Sequence, residues 1–134
     1  MTPIIYLTNT TPAAGLPSGA TVPLGSVVRR QGCALSQSGN GIAVNASGYY
    51  DVKAAVTVTP SAADTVTVQL LYDGIPVPGA KASGAGTTTK TLAIPAVVRQ
   101  VCCKAAGLIT FAITTGLADT TVTIEDTAVV VQRV

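Results

Sequence analysis

The residues of this 134-residue chain that could do chemistry are few, and histidine is not among them. Without an imidazole, Ser-His and Cys-His nucleophile pairs are impossible, and so are histidine metal sites. A cysteine nucleophile would need another base, and Lys104 beside Cys103 is the only local candidate. Paired carboxylates could serve glycoside hydrolysis, but Glu125 and Asp126 are adjacent and would face opposite ways in a strand. Calcium could use Asp119, Glu125 and Asp126 only with further oxygen ligands from one neighbourhood. The expectation is a chain without catalytic residues, cofactor or metal. It is not expected to be an enzyme.

The remaining polar residues point to packing and contact. Cys33, Cys102 and Cys103 are odd in number and lack metal-type spacing. One or two buried thiols acting as small apolar groups are the plain reading, with a disulfide or a metal site as alternatives. A sugar site would want an aromatic platform, yet tryptophan is absent and the tyrosines are Tyr6, Tyr49, Tyr50 and Tyr72. Tyr50 and Tyr72 fall on apolar faces, whereas Tyr49 lies on the opposite face and could meet another subunit. The arginines, Arg29, Arg30, Arg99 and Arg133, are either exposed or paired across an interface, for instance with Asp51 or Glu125. Asn9-Thr10-Thr11 and Asn45-Ala46-Ser47 match the glycosylation sequon and are read as chance matches.

Composition narrows the class further. Charged residues are 10% of the chain, against roughly 25% in an ordinary soluble domain. So few charges cannot cover a lone subunit, which implies burial against other subunits. The net charge is +2 without a basic stripe, which argues against nucleic acid. Apolar runs are far shorter than the about 20 residues of a membrane span. The first residues lack the basic start and apolar run of a secretory signal, so the chain is expected to be made in the cytosol and kept there or released by lysis.

The elements that must position these groups are strands. In residues 49–59, Tyr50, Val52, Ala54, Val56 and Val58 alternate with Asp51, Lys53, Ala55 and Thr57. In 64–72, Val66, Val68, Leu70 and Tyr72 do the same. A period of two marks a sheet with one face on a core. A turn at Pro60-Ser61 joins the pair, and Asp73-Gly74 has the chemistry of a tight hairpin. Further strands are expected at 3–7, 21–29, 42–44, 88–99, 108–114, 121–125 and 128–134. Residues 12–19 and 81–87 read as loops, and 75–79 as an edge strand or bulged return because of its prolines. Valine on both faces of 128–134 predicts cover on both sides. No amphipathic helix is present. The pattern predicts one domain over residues 1–134, with a possible N-terminal strand and arm at 1–20. Its fold is an all-β antiparallel two-sheet jelly-roll sandwich.

The segments SVVRRQGCALSQSGNGIAVNASGYYDVKAAVTVTP, LLYDGIPVPGA, IPAVVRQVCC and AVVVQRV together resemble small jelly-roll virion proteins. These are the head-fibre or decoration proteins of tailed phages and prophages of Gram-positive gut bacteria. The Gly-Tyr-Tyr strand and the strand ending in Asp-Gly also resemble the trimeric jelly rolls of the tumour necrosis factor and complement globular-head superfamily. The resemblance implies a non-enzymatic homotrimer, a capsid decoration or head-fibre knob located on the virion. Its partners would be capsid or other virion proteins and a host surface glycan. By the same analogy Tyr49, Val129, Val131 and Arg133 would lie at the trimer interface, and Val131→Asp would dissociate the oligomer. No collagen-like stalk is present, so attachment would use the head itself or the arm at residues 2–19. A bacterial cell-surface or carbohydrate-binding module is the alternative reading.

Overall fold

Alternation of buried and open residues along the longest strands sets the architecture. A computed structural model describes residues 3–101 and 106–134. It contains β1 (Ile4–Asn9), β2 (Ala13–Leu16), β3 (Ser26–Gln31), β4 (Leu35–Ser38), β5 (Gly41–Val44) and β6 (Gly48–Pro60). Then follow β7 (Asp64–Tyr72), β8 (Ile75–Gly86), β9 (Lys90–Gln100), β10 (Gly107–Thr115) and β11 (Val122–Arg133). One sheet has the order β3-β1-β11-β6-β9, with β2 continuing the place of β1 beside the start of β11. The other has the order β4-β5-β10-β7-β8. All pairings are antiparallel, and after β5 the chain passes repeatedly from one sheet to the other. This is the expected two-sheet jelly roll in a single domain.

The core lies between the sheets. Tyr50, Val52, Val56 and Val58 of β6 face Val66, Val68 and Leu70 of β7 and Ile109, Phe111 and Ile113 of β10, all fully buried. Removing this apolar surface from water is the main force holding the sheets together. The Asp73-Gly74 turn has φ of 54° and 79°, the left-handed pair that matches strand twist in a two-residue hairpin. Pro95 sits on the outer face of β9, an edge strand of its sheet, where a missing N–H costs little.

Four sequence expectations change. Residues 12–19 are not a free loop or arm, because β2 pairs with β11 through Leu16 and Ala13. The 81–87 stretch is strand, not loop: β8 runs on to Gly86 in register with β7. Its small side chains let Lys90 lie across, since a Cβ on Gly84 would come within 2.5 Å of the Lys90 chain. Residues 121–125 and 128–134 form one strand, β11, with an irregularity between Ile124 and Asp126. Finally, 21–29 becomes a buried lead-in, Val22 and Leu24, before β3.

Asp64 ties two turns together at one end of the sandwich. Its carboxylate accepts from the backbone N–H groups of Thr65 (2.7 Å), Gly116 (3.1 Å) and Leu117 (2.8 Å). These bonds, that from Leu117 foremost, with a further one from the Thr120 hydroxyl, hold its pKa below the ordinary carboxylate value. A depressed carboxylate stabilises the fold above its unfolded pKa, about 3.9, and that contribution fades as pH falls through the lower folded value. Asp64→Asn should therefore lower the melting temperature at pH 7, and the gap from wild type should close as pH drops below about 4. Thermal melts across pH 2 to 7, roughly the window set by those pKa values, check this.

Among the described residues one buried side-chain polar atom is orphaned. Thr127 is fully buried on β11 and its hydroxyl makes no hydrogen bond. An unpaired buried hydroxyl costs about 1–3 kcal/mol. Thr127→Val, of similar shape, should raise stability by about 1 kcal/mol, or a few degrees in Tm, measurable by calorimetry.

Candidate assembly interface

The sheet containing β6 and β11 has a second face, turned away from the core. Pairing registers align its side chains in rungs that cross the strands. One rung holds Arg29, Tyr6, Val130, Lys53 and Pro95. Its neighbour on the same face holds Gln31, Ile4, Gln132, Asp51 and Val97. On the other side stand Thr8, Ala128, Ala55 and Ala93. Farther along the face turns to threonine: Thr57 and Thr91 hydroxyls lie 3.1 Å apart, and Thr59 and Thr89 lie 2.7 Å apart. Thr59 also donates to Glu125 at 3.3 Å.

This open face carries little charge. Lys53 and Asp51 form an ion pair at 3.7 Å, with side chains 74% and 36% exposed. Such a pair is worth little in water. It does leave the middle of the face near neutral. Val97 is 59% exposed and Tyr49 54%. Apart from Arg29, the Lys53–Asp51 pair, Gln31 and Gln132, these rungs are Ile, Val, Ala, Pro, Tyr and Thr, a composition low in charge like that of an interface centre.

The four residues expected at the interface do not share a face. Tyr49 points outward as expected, with Arg99 5.7 Å from its ring centroid in a cation–π contact. Val129 and Val131 are corrected: both are fully buried in the core of their own protomer. They pair in register with Ala54 and Val52, whose side chains also point inward. Arg133 follows the same inward phase but lies beyond the core, beside Tyr50 and over Gly48. A Cβ on Gly48, whose φ is 139°, would come within 2.9 Å of the Arg133 Nε. The outward valine of β11 is Val130. Ile4, Tyr6, Val130, Ala55, Ala93 and Val97 were missed, and only knowledge of which strands pair could have gathered them.

The other expectations resolve as follows. Tyr50 is fully buried and donates to the Ala46 carbonyl at 2.8 Å; burial raises its pKa while Arg133 opposes the rise. Tyr72, half-buried, donates to Gln100, and burial first, then Asp73, pushes its pKa up to about 12. Both are packing residues. The arginines make no ion pair with Asp51 or Glu125: Asp51 holds Lys53 and Glu125 holds Thr59. Cys33 is exposed, so the buried-thiol reading fails for it. Cys102, Cys103 and Lys104 lie outside the described residues. Among the described residues no three His, Cys, Asp or Glu side chains gather as a metal site. Among the described residues no helix is long and apolar enough to cross a membrane.

By its two-sheet order this chain has the jelly-roll fold seen in tumour necrosis factor-like and complement-type heads. Murine APRIL superposes with a TM-score of 0.69 at 10% identity, covering 100% of both chains. The globular domain of zebrafish complement 1qA gives 0.67 at 8%, covering 100% of this chain and 97% of the other. The PRD1 vertex protein P5 gives 0.57 at 14%, covering 98% and 96%. At these identities the likeness is one of fold. No known protein family matches the sequence, and no curated protein does.

Proposed function

We propose that the chain is a non-enzymatic virion structural protein, a homotrimeric knob that decorates a phage capsid or forms part of a head fibre. The observation that carries the reading is the open face of the β6–β11 sheet. A lone protomer leaves Ile4, Tyr6, Val130, Ala55, Pro95 and Val97 together on one nearly neutral surface. Packing that face around a threefold axis would remove it from water. The fold likeness to the PRD1 vertex protein P5 supports the virion placement. The lack of histidine fits a binding role rather than turnover.

The mechanism would be avidity. Three identical heads per knob, and many knobs per particle, multiply contacts that are individually weak. Placement is tested by labelling particles, induced from the strain that carries the gene, with antibody against the purified protein. Electron microscopy should show label on heads or head fibres. Particles that contain none of the protein would reject the virion placement and favour the cell-surface module.

A further inference from the structure

The charged residues are sorted along the strand axis. At one end of the β6–β11 sheet stand the rungs Tyr49–Arg99 and Arg133–Tyr50, followed by Arg30–Ile5 and Arg29–Tyr6. Every arginine of the chain therefore lies toward that end. Toward the other end are Asp126, level with Thr57, and Glu125, bonded to Thr59. The turns there add Asp64 and Asp119.

Local counter-charges do not cancel this arrangement. At the arginine end Asp51 is engaged by Lys53, and Asp73 belongs to a turn of the other sheet. At the carboxylate end Lys90, which donates to the carbonyls of Ala85 (2.6 Å) and Gly86 (3.5 Å) and keeps its charge, is one cation against Asp64, Asp119, Glu125 and Asp126. Among the described residues no carboxylate lies within 4.0 Å of an arginine. Apolar groups are open at both ends: Tyr49 and Val101 with the arginines, Leu117 with the carboxylates.

We propose that these ends dock on each other in successive copies, arginine end to carboxylate end, so that knobs stack along the strand axis. The proposal rests on the structural reading above and selects the fibre over the isolated decoration. A contact between two different surfaces related by translation does not close, so it propagates as a linear array. Each junction of a trimer presents every charge in three copies, which multiplies weak pairs. Exposed ion pairs are individually weak and screened by salt, so the stack forms at low ionic strength and dissolves at high.

Light scattering of the purified full chain in reducing buffer tests this, at about 10 mM and about 500 mM salt, where the screening lengths differ several-fold. Species larger than the base unit should grow with protein concentration at low salt. The association constant should fall by roughly tenfold or more at high salt. Arg30→Glu with Arg133→Glu removes the net positive charge of the arginine end, the two new carboxylates offsetting Arg29 and Arg99, and Asp119→Lys with Asp126→Lys removes the net negative charge of the other end, offsetting Asp64 and Glu125. Each double variant should stay at the base unit alone, and mixing the two should restore association. Circular dichroism verifies that each is folded, and Arg29→Glu with Arg30→Glu, on the exposed edge strand, is the substitute if one is not. Wild type that stays at the base unit at low salt, association that strengthens with salt, or a mixture that does not associate overturns the stacking. The base unit at high salt reports the trimer separately, so a monomeric base unit would reject the trimer without deciding the stack.

Discussion

Val130→Asp is expected to turn the proposed trimer into folded monomers. Val130 sits on the outward face of β11, between Tyr6 and Lys53 in register. In a lone protomer this position is only partly covered, so a carboxylate there keeps contact with water. Around a threefold axis it would meet its symmetry copies in a nearly neutral, apolar setting. The cation beside it in register, Lys53, is already held by Asp51, so the new carboxylate lacks a partner of its own; such a buried charge costs several kcal/mol, roughly, and each trimer would hold three of them. The mass should drop to 13.4 kDa while the far-ultraviolet circular dichroism stays that of a β protein. A trimer of unchanged mass would place the interface elsewhere.

The neighbouring substitution should do something different. Val131→Asp puts the charge inside the sandwich, where Val131 is fully buried and paired in register with Val52. The cost is again several kcal/mol, roughly, but it now falls on the protomer's own fold. Domains of this kind hold only about 5–15 kcal/mol in total. The variant should lose most of its cooperative melt and accumulate as aggregate or unfolded chain rather than as clean monomer. The two adjacent valines thus separate assembly from folding. Recovery of Val131→Asp as a well-folded monomer would mean that β11 presents the opposite face.

That pair also shows how far the sequence could be read. The long strands were legible because Tyr50 to Val58 and Val66 to Tyr72 alternate cleanly, and because Asp73-Gly74 can form only a narrow set of turns. The face of β11 was not legible. Val129, Val130 and Val131 are all apolar, so the pattern carries no phase, and the irregularity between Ile124 and Asp126 breaks any count from upstream. Only the registers with β6 and β1 decide that Val129 and Val131 go inward and Val130 outward. β2 and the far half of β8 were missed for a related reason. Their Gly, Ala and Ser residues look like loop, yet backbone pairing to β11 and β7 is what makes them strand. The interface suffered most. Its residues come from β1, β6, β9 and β11, strands far apart in sequence, and no local motif announces such a surface.

The measurement that bears most directly on this account is the mass of the wild-type protein by light scattering on a size-exclusion column, in reducing buffer with enough salt to screen surface charge. The account predicts three times 13.4 kDa. A single species at 13.4 kDa across the accessible concentration range would contradict it, because the open face of the β6–β11 sheet would then have no second copy to cover it.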